Sequence, residues 1–114
     1  MTRSNRSRSL AILVVDDSEV TRSVLMTRLT ARGASVVCVS SAADALAVDA
    51  ESLTAAIVDV DLGADSGVTL ADVLAGRNPH LRLALFTAHD TPHDRTTFHK
   101  PDDIDDVVAW ALES

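Results

Sequence analysis

Apolar and β-branched runs of four to eight residues recur along the chain and predict five strands. Between them, apolar residues recur every three or four positions, which is typical of amphipathic helices. The predicted strands are residues 10–15, 35–39, 55–60, 81–88 and 96–99. Strands that are apolar almost throughout and alternate with helices indicate a parallel sheet covered on both faces. We therefore predict a doubly wound α/β fold.

The predicted helices each have a serine cap, an apolar stripe or both. Ser18 is expected to cap the first helix, and Ser41 to cap an alanine-rich second helix that continues to about Ser52. Gly33 is expected to end the first helix, and Asn78 lies near the end of the third. The expected stripes are Val20, Val24, Leu25 and Leu29 in the first helix, Val68, Ala71 and Leu74 in the third, and Ile104, Val107, Val108 and Ala111 in the last.

The connection between the fourth and fifth strands is unusually short, since only AHDTPHDR, residues 88–95, is left for it. Parallel strands normally need a dozen or more connecting residues, usually helical. Eight residues of helix advance only about 12 Å, whereas the same residues extended reach about 26 Å. We therefore expect the fourth helix of this fold to be missing or reduced to one turn around residues 92–95.

Length and charge narrow the class of protein. A chain of 114 residues with 46% hydrophobic content is one domain. Residues 1–9 are polar and basic and are expected to form a disordered arm, which serves either as a solubilising tail or as a contact for an anionic partner. The domain, residues 10–114, carries 17 acidic residues against 7 basic ones, the chain's 10 minus Arg3, Arg6 and Arg8. That balance argues against a nucleic-acid partner.

Two further features concern location. The longest apolar run, residues 10–15, is too short to cross a bilayer or to serve as a signal sequence, so we expect a cytoplasmic protein without a membrane partner. The single cysteine, Cys38, lies within VVCVS and is better explained as a small apolar residue than as a disulfide partner or a nucleophile.

Charged and hydroxyl side chains follow four of the predicted strands. Asp16 and Asp17 come after the first strand, Asp59 lies at the end of the third, Thr87 at the end of the fourth, and Lys100 after the fifth. In open α/β sheets the binding crevice lies beyond the carboxyl ends of the strands, so these residues can converge. Each one alone is better explained as a solvated loop or turn residue.

Taken together, the three carboxylates carry a charge of −3, which Lys100 and one divalent cation would neutralise. Hard oxygen ligands favour Mg²⁺, with Mn²⁺ as the substitute. The adjacent acids Asp16 and Asp17 are then explained by a shared cation, which makes two neighbouring negative charges favourable.

The spaced pattern DD…D…T…K, with VDDS, AAIVDVDLGADSG, FTA and HKP, resembles the receiver domain of two-component response regulators over residues 10–112. The resemblance implies a flavodoxin-like strand order, 2-1-3-4-5, and phosphorylation of Asp59 by a sensor histidine kinase or a histidine phosphotransfer protein. Phosphorylation would switch the binding of a downstream target.

The resemblance also implies the role of each site residue. Asp17 would bind Mg²⁺ directly, Asp16 would hold a metal-bound water, and Asp61 would offer its backbone carbonyl. Thr87 would hydrogen-bond the phosphoryl group and Lys100 would pair with one of its oxygens. Two small residues also fit the family: Ala88, which leaves room for the phosphoryl group, and Gly67, which matches a family glycine.

The chain departs from the family where an aromatic switch residue usually stands, because that position is Thr97. Phe98 follows one residue later and should face the other side of the sheet. Asp61 and His89 occupy places that in the family flank the path of hydrolytic water, although both also fit an ordinary solvated rim. Trp110 lies off the stripe of the last helix, where it would serve partner contact or fold over the sheet edge.

Two other functions remain open. VDVDLG resembles the DxD motif of haloacid-dehalogenase-type phosphatases, although that motif normally lies on the first strand of a longer chain. A degenerate receiver would bind partners without being phosphorylated, but the five main side chains of the pattern are intact.

Overall fold

The computed structural model describes residues 9–89 and 95–113. Its described elements, in chain order, are β1 (Ala11–Val15), α1 (Glu19–Ala31), β2 (Ser35–Val39), α2 (Ala42–Leu46), a short 3₁₀ helix (Ala50–Ser52), β3 (Ala55–Val58), β4 (Asp61–Leu62), β5 (Asp65–Ser66), α3 (Gly67–Arg77), β6 (Arg82–Thr87), β7 (Thr96–His99) and α4 (Ile104–Ala111).

Five strands form one parallel sheet in the order β2-β1-β3-β6-β7, which confirms the predicted doubly wound, flavodoxin-like fold. The small strands β4 and β5 pair with each other as an antiparallel hairpin within the Gly-rich turn after β3. The hairpin turns at Gly63, whose φ of 67° lies in the left-handed region that glycine adopts without strain.

The two faces of the sheet carry separate apolar cores because neighbouring strand residues point to opposite sides. On one face, Leu13, Val15 and Leu85 pack with Leu70 and Leu74 of α3. On the other, Ile12, Ile57 and Phe86 pack with Leu25 of α1 and Val107 of α4. Both faces are thus covered by helices, as the continuous apolar strands predict.

The helix caps are where the sequence indicates them. Ser18 Oγ accepts a hydrogen bond from the backbone N–H of Thr21, and Ser41 Oγ accepts one from Asp44. The predicted single helix to about Ser52 is wrong, because α2 ends at Leu46 and a separate 3₁₀ turn follows. The carboxylate of Asp49 accepts a hydrogen bond from the N–H of Glu51 and so starts this second turn.

The predicted stripe of α1 is wrong at Val20, whose side chain is 73% exposed, whereas Leu25 and Leu29 are fully buried. The reason is the angle between Val20 and Leu29 around the helix axis. At about 100° per residue, nine residues place Val20 on the opposite side of the helix from Leu29.

The short connection between β6 and β7 is described only at its ends. Ala88, His89 and Arg95 lie outside any helix. The prediction for a lost or one-turn fourth helix falls mainly on residues 90–94, which lie outside the described residues, as does the predicted arm apart from Ser9. None of the helices in the described ranges has the length and apolarity needed to cross a membrane.

Candidate functional site

Two buried carboxylates lie side by side at the carboxyl edge of the sheet. Asp16 follows β1 and Asp59 follows β3, and Val15 and Val58 before them are partners in register. Asp16 is 1% exposed and Asp59 is 5% exposed. The sheet register therefore brings together two acids that are 43 residues apart in sequence, the difference between their numbers.

Lys100, directly after β7, reaches across the edge of the sheet to both acids. Its Nζ lies 2.8 Å from Oδ2 of Asp16 and 3.2 Å from Oδ2 of Asp59. The backbone N–H of Lys100 also donates to the carbonyl of Thr87 at 2.9 Å, which fixes where the side chain begins. One ammonium thus serves two buried carboxylates, and the pair keeps an excess negative charge.

Burial is the main reason that the pKa of Asp59 is raised above its ordinary value of 3.8, and the charge of Asp16 raises it further. The N–H of Asp61, which donates to Asp59 Oδ1 at 3.1 Å, and the nearby Lys100 act in the opposite direction. Burial lowers the pKa of Lys100, but its hydrogen bonds and charge interactions with Asp16 and Asp59 outweigh that effect and raise the pKa above 10.5. Lys100 therefore stays protonated at neutral pH.

Asp17 completes a set of three acids that fits a divalent cation. One carboxylate oxygen from each of Asp16, Asp17 and Asp59 lies within 4.8 Å of the others, and the Asp17 side chain is exposed. Oδ2 of Asp16 is buried, and its neighbour among the described residues is the Lys100 ammonium at 2.8 Å, an ion pair that leaves oxygen lone pairs free for a cation. Three carboxylates with spare oxygen lone pairs are the donor set that Mg²⁺ prefers.

The rim of the site is formed by two loops that touch each other. Nε2 of His89, after β6, lies 3.3 Å from Oδ2 of Asp61, after β3, and both side chains are mostly exposed. The backbone N–H of His89 donates to Oγ1 of Thr87 at 3.1 Å, while Thr87 itself is fully buried. Ala88 is exposed between them. The sequence places His89 and Asp61 at the rim but does not reveal that they contact each other.

The fold and the site together correspond to a known domain. The model of the family described as the response regulator receiver domain matches residues 12–109.

The chain belongs to this family.

Receiver domains of known proteins are similar to this one in sequence and structure. The sensor protein TorS of Escherichia coli (strain K12) is 37% identical over 97 residues, which cover 81% of this chain and 11% of TorS. A response regulator from Burkholderia pseudomallei, whose crystal structure holds a phosphorylated aspartic acid, a calcium ion and citrate, is 27% identical, with a TM-score of 0.78 and coverage of 93% of this chain and 68% of that one. The receiver domain of the hybrid histidine kinase CckA is 26% identical, with a TM-score of 0.75 and coverage of 90% and 99%.

In this receiver domain Thr97 and Phe98 face opposite sides of β7. Thr97 pairs in register with Leu85, and its hydroxyl donates to the carbonyl of Arg95 at 3.0 Å. Phe98 belongs instead to the core beneath α1 and α4. The aromatic ring therefore lies on the face opposite to the position that the family uses for its aromatic residue.

Trp110 is partly buried at the edge of the sheet. Its ring centroid lies 6.1 Å from that of Phe98, and the guanidinium of Arg82 lies 4.4 Å above the indole. Of the two placements considered from the sequence, the ring takes the one over the sheet edge, and a role in partner contact stays a prediction.

One contact to the site is not predicted from the sequence. Nη1 of Arg22, in α1, donates to the backbone carbonyl of Asp16 at 2.8 Å. The sequence holds a weak signal for this contact, because the helix dipole disfavours a basic residue near the N-terminus of a helix. A basic residue in that position indicates a nearby acceptor.

Proposed function

We propose that this receiver domain accepts a phosphoryl group on Asp59 from the phosphohistidine of a sensor histidine kinase or a histidine phosphotransfer protein. The observation that carries the proposal is the Lys100 ammonium held between the buried carboxylates of Asp16 and Asp59. The similarity of this chain to the sensor protein TorS supports a phosphohistidine as the phosphoryl donor. The phosphorylated aspartic acid in the Burkholderia pseudomallei regulator supports the chemistry.

In the proposed reaction, a carboxylate oxygen of Asp59 attacks the phosphorus of phosphohistidine. An O–P bond forms, the P–N bond breaks, and the imidazole nitrogen leaves with the electron pair and takes a proton from solvent. Such transfers depend on positioning and on neutralising the charge of the phosphoryl oxygens. Lys100 would pair with one of those oxygens, a role supported by its Nζ lying 3.2 Å from Asp59 Oδ2.

The carboxylates of Asp16, Asp17 and Asp59 and the backbone carbonyl of Asp61 are the groups that would hold Mg²⁺ or Mn²⁺. The cation, when bound, supplies two positive charges that offset the carboxylates and the incoming phosphoryl oxygens. Asp61 has its backbone fixed for this role, since its N–H donates to Asp59 Oδ1.

Thr87, at the end of β6, and Ala88, which follows it, are the remaining residues that would contact the phosphoryl group. Thr87 Oγ1 accepts from the N–H of His89, which leaves its own proton free to donate to a phosphoryl oxygen. Ala88, with its small side chain, leaves space for the group. Phosphorylation would then act on the start of the β6–β7 connection through Thr87 and change which target is bound.

The decisive experiment is intact-mass spectrometry after incubation with acetyl phosphate and MgCl₂. We expect one added phosphoryl group in the wild type, none in Asp59→Asn, and none in the wild type with EDTA. Asp65→Asn, an exposed acid in the hairpin, is the matched control and should be labelled normally. Label on Asp59→Asn would remove this residue from the role.

The same measurement separates the alternatives. A folded wild type that takes no label would be a degenerate receiver, and rapid turnover of the donor without a lasting label would indicate a phosphatase. Histidine kinases are phosphorylated from cytoplasmic ATP. We therefore also propose that this domain lies in the cytoplasm.

A further inference from the structure

The starting observation is the hydrogen bond from Arg22 to the main chain of the site. Arg22 is partly buried, and its Nη1 lies 2.8 Å from the backbone oxygen of Asp16. Glu19 lies one helical turn earlier, yet Arg22 forms no ion pair with a carboxylate of the described residues. Although the domain is rich in acids, the Arg22 guanidinium thus binds the backbone carbonyl of Asp16 and not a carboxylate.

With Arg22 included, every polar group of Asp16 has a neighbour that fixes it. The backbone N–H donates to Val39 at 3.1 Å, and Oδ1 accepts from the N–H of Ser18 at 2.9 Å. Oδ2 lies 2.8 Å from Lys100, and the backbone carbonyl accepts from Arg22. Arg22 is therefore the side chain that fixes the plane of the peptide after Asp16.

That peptide plane also sets the start of Asp17. The carbonyl of Asp16 and the nitrogen of Asp17 belong to one planar peptide group, so holding the oxygen fixes the nitrogen and the direction of the next Cα. On its other side, Asp17 is followed by Ser18, whose N–H is bound to Asp16 and whose hydroxyl caps α1. The exposed carboxylate of Asp17 is thus oriented through its backbone.

We propose that Arg22 is a positioning residue for the cation site, which holds the Asp16–Asp17 peptide so that the Asp17 carboxylate faces Asp16 and Asp59. The inference rests on the proposed function, since it assumes that the three carboxylates bind a divalent cation. Groups that orient metal ligands without touching the metal typically contribute 10- to 100-fold to metal affinity, and about tenfold is expected here.

Charge alone predicts the opposite effect, which makes the proposal testable. A guanidinium near three carboxylates repels a divalent cation, so its removal should tighten binding if Arg22 acts only through its charge. If Arg22 acts by positioning, its removal should weaken binding although a positive charge is lost. The sign of the change in affinity distinguishes the two roles.

The experiment uses the full chain and MgCl₂ alone, titrated at constant ionic strength and followed by amide NMR. The test variant is Arg22→Met, which keeps much of the side-chain length but removes both the donor and the charge. Arg22→Lys keeps the charge and one donor group. Arg32→Met is the control, because Arg32 is exposed and lies ten residues, about 15 Å, farther along the helix direction.

We expect Arg22→Met to weaken Mg²⁺ binding about tenfold, Arg22→Lys to recover most of that loss, and Arg32→Met to leave the affinity unchanged. In the metal-free protein, the amide signal of Asp17 should shift in Arg22→Met, since its peptide loses the hydrogen bond. A melting temperature in EDTA, measured for each variant, separates loss of affinity from loss of folding.

Equal or tighter Mg²⁺ binding by Arg22→Met would overturn the positioning role, and so would an equal loss in Arg32→Met. A wild type that binds no Mg²⁺ would overturn both this inference and the proposed cation site. A wild type that binds Mg²⁺ while Arg22→Met binds it normally would overturn the inference alone.

Discussion

Gly67, the first residue of α3, lies directly against the backbone carbonyl of Asp59. A Cβ at this position would be 1.8 Å from the Asp59 oxygen, a separation that no folded protein tolerates. The N–H of Gly67 also donates to the carbonyl of Val60 at 2.8 Å. The family glycine noted in the sequence thus has a physical cause, since only a residue without a side chain lets α3 begin this close to the proposed phosphorylation site.

We predict that Gly67→Ala destabilises the protein by about 3 kcal/mol, because the backbone next to Asp59 has to move to admit the methyl group. Urea unfolding followed by circular dichroism measures this. Gly76→Ala, in the same helix, is the matched control, since a Cβ there meets no atom within 4 Å. It should raise stability by about 0.5 to 1 kcal/mol, the helix preference of alanine over glycine. Equal effects at the two positions would contradict the steric explanation.

The raised pKa of Asp59 predicts a pH-dependent stability. A carboxyl group whose pKa is raised by folding favours the folded state below its unfolded pKa, and this contribution is lost as the pH rises through the raised value. The melting temperature of Asp59→Asn in EDTA should therefore equal that of the wild type at low pH. It should exceed that of the wild type increasingly as the pH rises above the ordinary value of 3.8. At neutral pH we therefore expect the variant to melt above the wild type.

Scanning calorimetry of both proteins from acid to neutral pH would test this sign. An Asn variant that melts below the wild type at neutral pH in EDTA would show that Lys100 outweighs burial and Asp16. If the Asn variant melts above the wild type in EDTA, as predicted, addition of MgCl₂ should bring the wild type above the variant, since a ligand present at 100 times its Kd stabilises by about 2.7 kcal/mol and the Asn variant lacks one carboxylate.

For the cation site we predict different effects at two exposed acids. Asp17→Ala removes a carboxylate from the cluster and should weaken Mg²⁺ binding strongly. Asp61→Ala should weaken it much less, because its proposed ligand is the backbone carbonyl, which alanine retains. NMR titration with MgCl₂ gives both affinities. Equal losses would mean that the Asp61 carboxylate itself binds the cation.

At the rim, His89 is predicted to slow hydrolysis of the aspartyl phosphate. Its contact with Asp61 joins the two loops beside Asp59, so His89→Ala should open the site to water and raise the hydrolysis rate a few-fold. Decay of the phosphorylated mass after removal of the donor provides the rate. His80→Ala, an exposed histidine in the turn before β6, should decay like the wild type. An unchanged lifetime in His89→Ala would leave the histidine as an ordinary surface residue.

The fold could be predicted well from the sequence where a strong pattern acts alone. The short apolar runs that became β1 and β6 are buried on both faces of the sheet, as runs of this length between helices predict. The errors arose where local chemistry competes with the pattern. Asp49 starts a new turn and ends the alanine-rich helix early, and Val20 is apolar yet lies on the exposed side of α1.

The site could be predicted where a residue lies next to a strand end, because the sheet itself then fixes its place. Asp16, Asp59 and Lys100 are of this kind, and the structure brings all three together. The contact between His89 and Asp61 and that of Arg22 with the main chain depend on loop paths and side-chain reach. Neither leaves a periodic trace in the sequence.

The contact of Lys100 with Asp16 has a consequence for how the protein is made. The two residues are 84 positions apart, the difference between their numbers, so this ion pair is among the most non-local of those formed by the described residues. During synthesis the chain emerges from its N-terminus, and contacts between distant residues form only after both have emerged. A nascent chain therefore displays Asp16, Asp17 and Asp59 long before the lysine that neutralises part of their charge. If Asp59 is the phosphorylation site, as proposed, we therefore expect a chain to become competent for phosphorylation only when translation of the domain is nearly finished.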